Sequence, residues 1–258
     1  ASPASATDVE TVDVAAERFQ LLVTGYLIDY YAAHPVRATR LGIHDHDSRL
    51  PDMSRGGIQR RIRELDEWLG WLETIERDSL RGDAFHDHRI LNHALRAELL
   101  ELEEIRGWAR NPMDYNKALA DGLASLVDRR FAPLEDRLES AISRLKQYPK
   151  VIAAAKKNLQ DVPALWAEIG LRNTRGTLSY LRTDVPAALR EQGLDELDPA
   201  LSARWEQARR RALNKLDAFV DWLARDLLPR ADGDFRLGRD LFQRKLLYEE
   251  HVTITVEE

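Results

Sequence analysis

Apolar residues recur along most of this chain at alternating steps of three and four, the spacing that keeps one helix stripe turned toward a core. Leu213, Leu216, Val220, Leu223 and Leu227 form one such stripe, and Leu91, Leu95, Leu102 and Ile105 another. In the second, Glu98, Glu101 and Glu104 fall off the apolar face. Residues 62–75 repeat the pattern with Ile62, Leu65, Leu69 and Leu72, joined by Trp68 and Trp71.

The breaks agree with the stripes. Asn111-Pro112 and Asp198-Pro199 each offer a side-chain acceptor at a helix N-cap and a proline at the first helical position, where its missing N–H costs nothing. Pro133, Pro149 and Pro163 mark further starts, because proline inside a helix costs about 3 kcal/mol. Gly42 suits the left-handed residue that ends a short helix, and Gly56-Gly57 suits a helix start or a close approach. The predicted helices are 10–33, 36–41, 54–78, 84–109, 112–128, 133–147, 149–160, 163–183, 199–228 and 238–250, so the class is all-α, with about nine or ten helices in an irregular array. ADGDFRLG at 231–238 is the clearest turn cluster. Only VTITV, 252–256, alternates like a strand, and one short strand makes no sheet. No fixed-period repeat is present. The expected organisation is a flexible segment over 1–9, one helical domain over 10–250 and an extended tail over 251–258.

Composition narrows the chemistry. With no cysteine among 258 residues, disulfides, thiolate metal sites and cysteine nucleophiles are excluded. A chain 44% hydrophobic and 32% charged is that of an ordered protein. No apolar run approaches the roughly 18 residues that would cross a bilayer. The net charge of −6 argues against nucleic acid. The basic run Arg209-Arg210-Arg211 is interleaved on its helix with Glu206, Asp217, Asp221 and Asp226, which makes it a solvated face. The first residues, ASPASATDVE, read as a processed or trimmed end. The compartment stays open, with the cytoplasm ahead of export.

Two clusters invite a metal reading: LGIHDHDSRLPD at 41–52 and FHDHRILNH at 85–93. A catalytic zinc takes three protein ligands and keeps an open position. Two histidines on one helix can share an ion at a spacing of four, but the histidines lie at 34, 44, 46, 86, 88, 93 and 251, and no pair has that spacing. His86 and His93 share a face about 10 Å apart, while His86 and His88 point about 200° apart. A composite site from His44, His46, His86 and Asp87 would resemble the His-Asp metal phosphohydrolases, on a doublet of little specificity. The better reading gives Asp45, Asp47 and Asp52 to backbone N–H groups and puts His86 and Asp87 in a first helical turn. The pairs His44/Asp47 and His86/Asp87 remain candidates for general acid–base work. No Gly-x-Ser-x-Gly elbow or phosphate-binding glycine loop is present.

Four segments, in order, carry a resemblance: HPVRATRLGIHDHDSRLPD, ALRAELLELEEIRGWARNPMDY, FAPLEDRL and LLPRADGDFRLGRDLFQRKL. Together they resemble the bacterial family called domain of unknown function 885, zinc-metallopeptidase-like proteins of the gluzincin type, over about residues 20–250. The resemblance implies a large helical fold whose His-Glu-x-x-His helix and zinc lie in a C-terminal half with no counterpart here. It therefore implies no catalytic residue, metal or cofactor in this chain. What it leaves is one wall of a substrate channel, with His44, Asp47, Arg110, Asn111 and Tyr115 as candidates to line it or, structurally, to cap and lock two helix junctions. The expected partners are the C-terminal half and a peptide substrate. Thr255 and Glu258 have the spacing of a capping box, announcing a helix beyond the last residue. The alternative from another class is a self-standing helical interaction module, self-associating through an exposed apolar face.

Overall fold

In the computed structural model of the protein the backbone is described for residues 6–253 and the side chains for 14–253. The helices are α1 (Ala6–Ala33), α2 (Pro35–Leu41), α3 (Arg55–Glu73), α4 (Asp83–Leu100), α5 (Gly107–Arg110), α6 (Pro112–Val127), α7 (Leu134–Asn158), α8 (Ala164–Ser179), α9 (Val185–Arg190), α10 (Pro199–Trp222) and α11 (Arg239–Glu250). Five-residue π-helical turns extend α4, α8 and α10, at Glu101–Ile105, Tyr180–Asp184 and Leu223–Leu227. No strand occurs among the described residues, and the all-α class holds. The apolar stripes that suggested one array over 10–250 close around two separate cores. One compact unit takes the chain through Tyr30, Ile58–Arg106 and the segment from Arg236; the other takes Tyr31–Gly57 and Gly107–Phe235.

The first unit is built from α1, α3, α4 and α11. Phe19 and Tyr26 of α1 pack with Leu65 and Leu72 of α3 and with Leu91, Leu95 and Leu99 of α4. Gly25 is what lets α1 come this close, since a Cβ there would lie 2.8 Å from the Trp68 ring. Trp68 donates its indole N–H to Asp29 at 3.0 Å. Trp71, expected on the same stripe, stays 51% exposed and meets Trp68 edge on. The glutamates off the α4 stripe have partners: Glu98 accepts two bonds from buried Arg61, and Glu104 accepts two from Arg244 of α11.

The second unit is a bundle in which α7 packs along α10 and α6, and α6 against α8. Its core runs from Tyr115, Leu119 and Leu123 through Leu138, Ile142, Leu145 and Tyr148 to Trp205, Leu216 and Phe219. Both predicted proline caps form: Asn111 Oδ1 accepts from Met113 N at 3.0 Å and Asp198 Oδ1 from Ala200 N at 3.1 Å. Gly42 ends α2 at φ 87°. Gly57 is a close approach, since a Cβ would lie 2.3 Å from Asp52 O.

Three boundaries differ from the sequence pattern. Pro149 starts no helix; α7 runs through it. The burial of Leu145, Tyr148, Val151 and Ile152 on either side, at about 1.5–3 kcal/mol each, outweighs the proline's cost. The span 84–109 is broken at Arg106, which takes the left-handed conformation at φ 56° after the π turn. Helix α9 falls between the predicted spans 163–183 and 199–228, with Pro186 in its first turn. Val252 and Thr253 form no strand; the rest of the alternating VTITV segment and the Thr255/Glu258 capping box lie outside the described residues.

Trp205 is fully buried, yet its indole N–H finds no acceptor among the described residues. An orphaned buried donor costs about 1–3 kcal/mol, comparable to the cavity left by a smaller ring. In urea unfolding followed by circular dichroism, Trp205→Phe is therefore expected to cost less than about 1 kcal/mol, and Trp205→Ala about 3–5 kcal/mol.

Candidate functional site

The His-Asp segment becomes a built structure within the second unit. Gly42 turns the chain out of α2, with Ile43 N bonded to Ala38 O at 2.9 Å. Two successive turns follow, closed by Asp47 N to His44 O and Arg49 N to His46 O. They bring His44 Nδ1 to 2.9 Å from Asp47 Oδ2. The His44 ring lies on Phe131, with centroids 3.8 Å apart and planes 15° from parallel. Asp47 is buried, and its other oxygen accepts from Thr39 Oγ1 at 2.5 Å.

Behind Thr39 stands Arg144, fully buried in α7. Its Nε donates to Arg49 O at 2.9 Å, Nη1 to Gly122 O at 2.6 Å and Ser125 Oγ at 3.3 Å, and Nη2 to Thr39 Oγ1 at 2.7 Å and Pro35 O at 3.4 Å. Burial pushes this guanidinium down to about 10, with Asp47 and Tyr148 acting in the opposite direction. It stays charged at neutral pH. The result is a chain of polar contacts, Arg144 to Thr39 to Asp47 to His44, that commits the histidine's Nδ1 inward and leaves Nε2 for a partner from outside.

The second candidate group sits where α5 meets α6. Tyr115 is fully buried, donates to Trp108 O at 2.6 Å and accepts from Asn158 Nδ2 at 3.0 Å. The same Asn158 amide reaches Met53 O at 2.8 Å, tying this junction to the end of the 43–54 loop. Asn111 is used by its cap and by Asp114, and Arg110 donates to Asp234 O. Of the five candidates, His44 and Asp47 are in direct contact. Tyr115 is fully buried, which leaves its side chain no surface to offer a ligand.

The metal candidates are divided between the units: His44 and His46 belong to one and His86 and Asp87 to the other. His86 and Asp87 are exposed in the first turn of α4, where His86 meets the edge of Phe85. Buried His88 instead lies within 3.4 Å of Leu72 O and 3.2 Å of Ile75 O. Among the described residues, no group of three or more His, Asp or Glu side chains is placed to hold a metal ion.

The sequence reading missed Arg144, Thr39, Asn158 and Phe131. The signal for Arg144 was available: it stands in the apolar stripe Leu138, Ala141, Ile142, Leu145, Tyr148, seven residues after Arg137. A charge on a core face must find partners or not be there. Arg137 follows the same logic, donating to Leu126 O, Ala132 O and Gln192 Oε1 beside the end of α6.

Two measurements follow from these contacts. Arg144→Met leaves several buried acceptors without donors and Asp47 without its counter-charge, so a loss of about 3–5 kcal/mol is expected in urea unfolding. Tyr115 is raised by burial to about 12, against the lowering effect of the Asn158 bond. A folded value above the ordinary 10.0 means the contribution is intact below that pH and fades as pH rises toward about 12. Tyr115→Phe should cost about 1–2 kcal/mol at neutral pH. The gap to the parent protein should narrow in alkaline denaturation series.

Comparison with known proteins places the chain. Residues 35–258 match the model of a family described as "Bacterial protein of unknown function (DUF885)". A solved structure described as "a putative lipoprotein of unknown function from Shewanella oneidensis" matches with a TM-score of 0.83 and 22% identity, over 93% of this chain and 43% of that one. At that identity the likeness is one of fold, and this chain spans less than half of that structure's length. No functionally curated protein matches. By the family match, which covers most of its length, this chain belongs to the DUF885 family of bacterial proteins of unknown function.

Proposed function

We propose that this chain is a helical portion of a larger, zinc-dependent metallopeptidase-like hydrolase, forming one wall of its substrate channel and carrying no catalytic group of its own. The observation that carries the reading is that the chain accounts for 43% of a longer relative of the same fold. The motif resemblance supports it by locating His-Glu-x-x-His and its zinc outside the part represented here. A second support is the surface of α1. Val14, Leu21 and Ile28, seven residues apart on one face, remain 52%, 73% and 64% exposed, the kind of apolar stripe that a partner covers.

Within that wall, His44 is the side chain offered to substrate. Asp47 fixes its Nδ1 and Phe131 supports its face, so Nε2 meets a passing peptide at small entropic cost. Asp47, Asn111 and Tyr115 hold the two junctions beneath it, and Arg110 holds the 231–235 loop. The zinc belongs with the other portion, where a motif glutamate would activate water.

The test combines activity and metal content. Given zinc and a set of short peptides, this chain should show no turnover and should keep no stoichiometric zinc after dialysis. A family member as long as the Shewanella protein should hydrolyse peptides only with zinc. Robust hydrolysis by this chain alone contradicts the reading, as does bound zinc that vanishes on His86→Ala. So does an inactive, metal-free long member.

A further inference from the structure

One titratable cluster plays no part in the channel reading. His93, on α4, and His251, just past α11, place their Nδ1 atoms 2.8 Å apart. Their ring centroids are 4.9 Å apart with planes inclined by 19°. That separation is close to the nitrogen–nitrogen distance plus the two ring radii, so the rings meet edge to edge, nearly coplanar. Their lone pairs then point at one another and do not converge on a third point, which suits a shared proton and not a metal ion.

The backbone supports the contact. His251 occupies the left-handed position after α11, φ 56° and ψ 24°, with Val252 N bonded to Leu246 O at 3.2 Å. A left-handed residue at a helix end is normally glycine, because a side chain in that conformation costs about 1–2 kcal/mol. Here the strained residue delivers an imidazole back onto α4. The same two helices are joined by Arg244 with Glu104 and by Lys245 with Glu101.

We propose that the His93–His251 hydrogen bond is a proton-gated latch that ties the C-terminal end of α11 to α4 and opens when both imidazoles are protonated. Proton bookkeeping gives the gate. In the neutral pair one ring carries its proton on Nδ1 and donates to the bare Nδ1 of the other. A first added proton goes to the donor ring's Nε2 and leaves the bond intact. A second must go to the accepting Nδ1, and two N–H groups then face each other across 2.8 Å.

The surroundings set the direction. His93 is held below its ordinary value of 6.5 by burial first, then by His251, Arg89 and Arg96. Arg89 and Arg96 lie on α4, and Arg96 is also bonded to Asn92 and Glu73. From α11, Tyr248 presents its ring to His93 at 5.7 Å. Glu249 and Glu250 adjoin His251, with Glu249 bonded to Lys245. A depressed histidine contributes stability above its ordinary value and loses it as pH falls below.

The readout is amide hydrogen-exchange protection at Val252 in the whole chain, at pH about 7.5 and about 5, with global melting followed in parallel. Parent protein should lose about tenfold protection on acidification, the scale of one unit of proton linkage, while the fold stays intact. His251→Asn tolerates the left-handed backbone but cannot take the second proton, so its Val252 protection should not depend on pH. Equal protection at both pH values in the parent protein, or the same loss in His251→Asn, overturns the latch.

Discussion

A guanidinium sealed in an apolar bundle must have its N–H groups answered, and Arg144 is answered from three elements. Arg49 lies on the loop, Gly122 and Ser125 on α6, and Pro35 and Thr39 on α2. These bonds tie α2, the loop and α6 to one side chain of α7. Desolvating such an ion costs several kcal/mol, and hydrogen bonds must return that energy. Packing alone would tolerate some sliding of α2 over α6; the buried charge does not. Gly122 is part of the same constraint, since a Cβ there would lie 2.7 Å from Leu50 Cδ2.

The consequence reaches the surface through Thr39 and Asp47. Asp47 is held by Thr39 on one oxygen and by His44 on the other, so the histidine's orientation is inherited from a cation in the core. A surface histidine on a loop would ordinarily sample several rotamers. This one is pinned by an aspartate below and a phenylalanine beside it, which is how a rigid scaffold makes a loop residue useful for recognition. In the first unit, Arg61 and Glu98 apply the same rule in miniature, a buried arginine matched by a bidentate carboxylate.

Most of the fold was legible because it is written in local signals. Stripe spacing, Asn111-Pro112, Asp198-Pro199 and Gly42 each act within one turn of chain, and each did in the structure what elementary stereochemistry asks. The failures needed information from elsewhere. Pro149 is overruled by the core positions of Tyr148 and Val151, the span 84–109 is broken by a left-handed Arg106 that no glycine advertises, and the two cores form through helix pairings that no single segment encodes. The site was half legible. His44 and Asp47 stand three residues apart and meet, whereas Arg144 lies 97 residues beyond Asp47 in the same numbering and is joined to it only by the tertiary fold. For Tyr115 both readings, channel lining and junction lock, stay open in the sequence, because its hydroxyl is visible there and its burial is not.

That division of labour, a core charge holding a surface histidine, is tested most directly by a double-mutant cycle between Arg144 and Asp47. Stabilities would be compared for Arg144→Met, Asp47→Asn and the double variant. The network predicts a coupling of at least about 1 kcal/mol, because removing either partner strands the other. Additive losses would mean that the two residues act independently and that His44 owes its orientation to its own loop.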